Sequence, residues 1–321
     1  MKRWSEIFGR EALLLLMIGG VAAGFGAAIP GFLDPANLAD RTRYWVETGL
    51  IAVPMTFIIA AGGIDLSVGS LLALAGVVAG LAHTHAAWPL PAVIGVALVA
   101  GTVGGLFNAL AIQALRLPAL VATLATLALF RGLAFGLTGA RPISDWPEAF
   151  TDWGSTGAWQ LGAQWHLPWS FLLLLGATAA GAAVFDRHLL GRQARQLGEN
   201  RSAARFAGIS AARVQWALYG ASGLACGLAA VVWTARFATA HPGAAQGLEL
   251  DVVAVVVLGG TRITGGAGSV IGSFLGLVLL GLLRYGLDMC SVTQQDQIIL
   301  LGLLVVAIAV VNEAWARRGQ R

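Results

Sequence analysis

Long apolar runs separated by short polar turns dominate this chain. Ten of them have helical length: residues 11–30, 48–61, 67–83, 89–112, 118–137, 168–185, 213–234, 250–260, 268–287 and 296–313. A membrane-spanning helix needs about 20 apolar residues, and the second, third and eighth runs fall short of that. Short segments interrupted by glycine are the pattern of helices broken at a transport pathway; short or tilted spans give the same pattern. Pro89, Pro118 and Pro168 open three of the runs, where a fixed φ and a missing N–H suit the first helical turn. The pattern predicts an all-α polytopic membrane protein of about ten spans, some short or broken, with residues 1–321 forming one domain.

Composition agrees. The chain is 57% hydrophobic and 11% charged, with a mean hydropathy of +0.77, whereas a soluble domain averages about 25% charged residues. The 43 glycines suit helices that approach closely in lipid. Cys226 and Cys290 lie in apolar segments without CxxC spacing, so neither a disulfide framework nor a metal site is expected. The histidines have no zinc-ligand spacing, and no cofactor is implied. The basic segment Met1–Arg10 followed by an apolar run reads as a retained first span.

Charge sets an orientation. If both termini lie in the cytoplasm, fourteen basic residues fall inside: Lys2, Arg3, Arg10, Arg116, Arg187, Arg192, Arg195, Arg201, Arg205, Arg213, Arg262, Arg317, Arg318 and Arg321. Four fall outside: Arg41, Arg43, Arg141 and Arg236. That bias is the positive-inside rule. It also accounts for the net charge of +4 without a nucleic-acid partner. The outer segments carry Asp34, Asp40, Glu47, Asp145, Glu148 and Asp152 instead. Two loops are long. The outer one, 138–167, is rich in tryptophan and is expected on the membrane surface, with a short interfacial helix. The cytoplasmic one, 186–213, is rich in arginine. Its Ser202–Phe206 stretch favours helix between Gly198 and Gly208. Lys2 is the only lysine and has no glycine-rich loop before it, so the chain has no phosphate-binding P-loop.

Few polar residues interrupt the apolar runs. Asp65 is the most deeply placed acid. An intramembrane acid is costly and points to function, yet Asp65-Leu-Ser67 at the start of a run also reads as a helix cap. Cap or packing is the favoured reading. Gly259 and Gly260 mark a second break, read as a structural hinge. Arg131 either snorkels to the outer interface or lines the pathway. Asn108, Thr123 and Thr126 suit interhelical hydrogen bonds, or contact with a polar solute.

The run Leu197-Gly-Glu-Asn-Arg-Ser-Ala-Ala-Arg-Phe-Ala-Gly-Ile209 resembles the cytoplasmic coupling loop of ABC importer permeases of the ribose/xylose/arabinose class. Three further blocks are similar to that family in the same order: Gly62–Ser70, Leu120–Gly132 with Gly139–Ile143, and Glu249–Thr261 with Gly265–Ser269. The resemblance covers most of residues 45–312. It implies a permease subunit of the inner membrane that moves a monosaccharide by alternating access and has no ATPase site of its own. It also implies cytoplasmic ATP-binding subunits, a periplasmic sugar-binding protein and a second permease subunit as partners. Contact with the ATPase would then fall to Gly198, Glu199, Asn200, Ala203, Ala204, Gly208 and Ile209. The run Gly49–Ile59 looks most like permeases for rhamnose. The rival class is an ion-coupled secondary sugar transporter, which needs acids within the spans; Asp65, Glu249 and Asp251 are the candidates.

Overall fold

The computed structural model describes residues 2–155, 157–160, 166–300 and 302–303. Most of the predicted run 296–313, together with Arg317, Arg318, Arg321 and Trp165, lies outside the described residues. Thirteen α-helices are described: α1 (Lys2–Ala28), α2 (Pro35–Arg41), α3 (Val46–Ala60), α4 (Val68–Thr84), α5 (Leu90–Ala114), α6 (Ala119–Thr138), α7 (Glu148–Ser155), α8 (Trp169–Arg187), α9 (Leu189–Glu199), α10 (Arg201–Phe206), α11 (Ala211–Phe237), α12 (Leu248–Leu258) and α13 (Val270–Met289). A two-stranded antiparallel hairpin, β1 (Gly157–Gln160) and β2 (His166–Pro168), precedes α8.

Each of the first nine apolar runs falls on a helix, but they do not all qualify as spans. Six helices are long and apolar enough to cross a membrane: α1, α5, α6, α8, α11 and α13. The runs at 48–61, 67–83 and 250–260 become α3, α4 and α12, of 15, 17 and 11 residues. Among the described residues the first nine runs thus comprise six helices long enough to cross a membrane and three shorter ones, and the tenth run lies mostly outside those residues. The three prolines stand one residue before their helices, as N-cap residues of α5, α6 and α8 with extended backbone.

The short helix α3 and the long helix α11 are buried most fully. Every residue of α3 except Val53 is buried. The long helices α5 and α6 instead expose Val99, Val103, Leu120, Val121, Leu124 and Leu129, the apolar surface that lipid covers. The core thus centres on α3, α4 and α11, walled by the longer spans.

The central contact is between α5 and α11, where Gly101 and Gly105 face Gly223 and Gly227. A Cβ on Gly105 would lie 2.1 Å from the Tyr219 carbonyl oxygen, and one on Gly223 2.1 Å from the Gly101 carbonyl oxygen. Backbone therefore meets backbone, the small-xxx-small mode of packing in membranes.

The outer loops are tied to the helices. Ile143 and Ala240 pair as an isolated β-bridge, with N···O distances of 3.0 and 2.9 Å. Trp146 stacks on His83 at 5.0 Å between ring centroids. At Gly154 of α7 a Cβ would lie 2.4 Å from the Ala235 backbone. The helix within the 138–167 loop is α7, packed on the end of α11.

Candidate functional site

Two chain breaks separate the short helices from their successors: residues 61–67 between α3 and α4, and 259–269 between α12 and α13. Asp65 sits in the first break and is fully buried. Its Oδ1 accepts from the Ser67 backbone N–H at 3.0 Å and the Ser67 hydroxyl at 2.7 Å. Its Oδ2 accepts from the Ser222 hydroxyl at 3.0 Å. The Asn108 amide donates to Ser67 Oγ at 2.7 Å and reaches Asp65 Oδ1 at 3.5 Å. One carboxylate thus ties the start of α4 to α5 and α11. Ser222 is eleven residues into α11, about 17 Å along the helix, so the cluster lies deep in the bundle.

The structure brings Asp65, Ser67 and Asn108 together. Asp65, not Ser67, binds the backbone N–H here; Ser67, at the N-cap of α4, makes no side-chain cap bond. The Thr123 hydroxyl donates to the Ile64 carbonyl at 3.1 Å, supporting the same break from α6. Thr126 bonds only within its own helix, to the Thr123 carbonyl at 3.2 Å. Asn108 Oδ1 and the Tyr219 hydroxyl, both buried beside this network, have no hydrogen-bond partner among the described residues. Ser222 and Tyr219 escaped sequence reasoning, because one serine and one tyrosine in an apolar span carry no spacing signal.

Arg131 stands apart from this cluster. Its guanidinium donates to the carbonyls of Pro242 at 2.8 Å and Ala244 at 2.7 Å, fixing the loop that leads into α12. That loop reaches the first turn of α4, where a Cβ on Gly69 would lie 2.5 Å from both the Ala245 carbonyl oxygen and Glu249 Oε2. Glu249 Oε2 is buried without a hydrogen-bond partner. Asp251 is instead bound in two-pronged fashion by Arg284 of α13, at 2.6 and 2.9 Å.

At the second break Gly259 packs flat on α13, where an added Cβ would lie 2.4 Å from the Ser273 nitrogen. Gly260 takes a positive φ of 87°. Thr56 of α3 and Ser273 share a hydrogen bond of 2.8 Å, so the helices next to both breaks are joined.

The 186–213 loop folds as α9 and α10, with the Asn200 side chain capping α10 at the Ala203 N–H, 2.9 Å away. Gly198 touches both breaks. A Cβ there would lie 2.0 Å from the Ala60 carbonyl oxygen and 2.6 Å from the Gly266 nitrogen, and those two atoms are themselves hydrogen-bonded at 2.9 Å. Gly265 and Gly266 have φ of 86°, a region other residues rarely enter.

The expected contact face needs correction. Ala204 is 3% exposed and belongs to the hydrophobic core, so its methyl faces this chain and not a partner. Gly198 likewise faces the breaks, and Ile209 is half-buried. Glu199, Asn200, Ala203 and Gly208 are exposed. The most prominent outward group is one the motif reading passed over: Phe206, 92% exposed at the end of α10.

Comparison with known proteins places this geometry among transport permeases. Residues 37–309 match the model of a family described as branched-chain amino acid transport system / permease component. The autoinducer 2 import system permease protein LsrD of Klebsiella pneumoniae is 34% identical over 96% of this chain and 93% of its own. The ribose import permease protein RbsC of Bacillus subtilis is 34% identical, over 86% of this chain and 84% of its own. The xylose transport system permease protein XylH of Escherichia coli is 30% identical, over 89% and 87%. No solved structure matches.

Proposed function

The chain belongs to the branched-chain amino acid transport system / permease component family, and from that premise we propose that it is the membrane-spanning subunit of an ATP-driven importer. In this reading it carries a monosaccharide across a bacterial inner membrane by alternating access. Two ATP-binding subunits work from the cytoplasm, a periplasmic protein delivers the sugar, and a second permease subunit completes the pathway. The relatives named for autoinducer 2, ribose and xylose support a small polyhydroxylated substrate. The rhamnose-like run Gly49–Ile59 forms the buried body of α3, so it supports the fold more than the choice of sugar. Titrating the cognate binding protein with rhamnose, ribose, xylose and autoinducer 2 assigns the substrate.

The observation that carries this reading is the contact of Gly198 with both helix breaks, in a loop that also presents Phe206 to solvent. A subunit that grips Phe206 holds a lever on the two breaks. An exposed aromatic at the tip of a short helix is the kind of anchor that dominates binding when it fills a pocket. Ion coupling finds less support. Asp251 is neutralised by Arg284, Asp65 is occupied by the hydroxyl, amide and backbone donors that fix α4, and Glu249, which accepts from the Gly247 N–H at 3.3 Å, is left as a single candidate acid where such a mechanism needs several.

Phe206→Glu tests the joint. The side chain is solvent-exposed, so the fold and membrane insertion are expected to stay intact. Losing a central aromatic anchor costs about 2–4 kcal/mol, roughly thirtyfold or more in affinity. Co-purification with the ATPase subunit and sugar uptake should both collapse, and unchanged co-purification would place the joint elsewhere.

Orientation has a separate test in single-cysteine labelling of intact cells. A cysteine at Thr151 is expected to react with an impermeant reagent, and one at Ser202 only after the membrane is opened. The reverse pattern would overturn the cytoplasmic placement of α9 and α10.

A further inference from the structure

We propose that the cavity between the α5–α6 turn and the start of α11 is a binding site for a phosphate-bearing anion. The cavity measures about 580 Å³ and is lined by Arg116, Arg201, Arg205, Ser202 and Ser210, with Ile112 and Leu117 on its apolar side. That is ample for a phosphate head group and more than one carboxylate side chain needs.

Charge is the first support. Three guanidiniums line one cavity, and none has an ion-pair partner among the described residues, whose ion pairs involve Arg41, Arg43, Arg195, Arg236 and Arg284. Arg201 and Arg205 lie four apart on α10 and so share one face. Arg116 comes from the other wall with a left-handed backbone, φ 52°, directly after the C-cap of α5. Glycine is the usual residue at that position; here it is an arginine, and it lines the cavity. Planar guanidinium forks match phosphate oxygens two at a time.

The helix field is the second support. Ser210 and Ala211 line the cavity, and they are the N-cap and first residue of the 27-residue α11. The positive end of that helix dipole therefore points where an anion would sit. Ser202 and Ser210 add hydroxyls on the same wall.

The surroundings favour a lipid as the source. Leu115, which precedes Arg116 in the chain, and Leu120, Val121 and Leu124, on the first two turns of α6, are 43–65% exposed, so the helix that follows the lining residue Leu117 offers acyl chains an apolar surface. Basic pockets at the cytoplasmic ends of membrane helices hold anionic head groups in this way. A soluble phosphate offers the same oxygens without the chains.

The test uses the full chain in nanodiscs. In the first arm the discs hold phosphatidylcholine with a minor share of phosphatidylglycerol, and retained lipid is identified by native mass spectrometry. In the second they hold phosphatidylcholine alone, and thermal stability is followed while inorganic phosphate is added. Each arginine near the surface is worth about fivefold in binding. The triple variant Arg116→Gln, Arg201→Gln, Arg205→Gln should therefore lose on the order of a hundredfold, and Arg141→Gln, on the opposite face, should lose nothing. Selective phosphatidylglycerol retention that the triple variant abolishes assigns the site to lipid. Stabilisation by phosphate that the same variant abolishes assigns it to a soluble anion. If the triple variant does not insert, Arg116→Gln alone, on an exposed turn, should still show the fivefold loss. Binding unchanged in both arms overturns the site. So does unchanged anion binding with loss of the ATPase subunit, which would give the arginines to acidic side chains of that partner.

Discussion

Gly198→Ala is expected to cut ATP-dependent uptake about tenfold or more while the ATPase subunit stays attached. The added methyl would enter a space 2.0 Å from the Ala60 carbonyl oxygen and 2.6 Å from the Gly266 nitrogen. Both neighbours are backbone, so no side chain can swing away. Either α9 lifts off the breaks or the Gly266–Ala60 hydrogen bond, 2.9 Å long, is lost. Overpacking of this kind costs about 1–3 kcal/mol, and the rigid surroundings put it at the upper end. Phe206 is exposed on α10 and is not among the atoms nearest Gly198, so docking should survive while its movement no longer reaches α4 and α13. Uptake by reconstituted vesicles, read beside ATPase co-purification, separates the two steps. Near-normal uptake would show that the Gly198 contact transmits nothing.

Glu47→Ala should destabilise the fold by about 3–5 kcal/mol, the penalty for stranding one member of a buried ion pair. Glu47 at the start of α3 accepts from Arg236 at the end of α11, 2.9 Å away, with side-chain exposures of 2% and 9%. The guanidinium also lies 4.9 Å from the Tyr44 ring centre and 4.4 Å from that of Phe237. Removing the carboxylate leaves a cation buried among aromatic faces. Those faces attract it but do not replace the charge-assisted bond. Arg236→Ala should cost a similar amount by stranding the acid. The double replacement Glu47→Leu, Arg236→Met should be milder than either, because no charge is left unpaired. Thermal unfolding of the three variants in one detergent tests this, and additive losses would mean that the two residues act separately.

That ion pair shows where sequence reading stopped. Glu47 and Arg236 were assigned to outer loops from their place beside apolar runs. Nothing in a linear pattern indicates that residues 189 positions apart meet. The helices themselves were legible, because apolar runs bounded by proline and glycine are local signals; nine runs became nine helices. Their standing as spans was less legible. Whether a short run crosses the bilayer or is buried between longer helices depends on its neighbours, as α3 shows. The Asp65 cluster was half legible. Asp65, Ser67 and Asn108 stand out as polar residues in apolar sequence, whereas Ser222 becomes recognisable only once α11 is packed beside α4. At α10 the motif located the loop but not its faces. Six residues are too few for a periodicity to tell Ala204, turned inward, from Phe206, turned out.

An ATPase on the α9–α10 side is expected to drive movement at the two helix breaks of this chain. Sugar uptake into vesicles holding the permease, its ATPase and its binding protein measures that coupling. Uptake is expected only with ATP inside the ATPase compartment, it should persist when an uncoupler removes the proton gradient, and it should vanish when the ATPase subunit is left out. Uptake driven by an ion gradient alone, with the ATPase absent, would contradict the account.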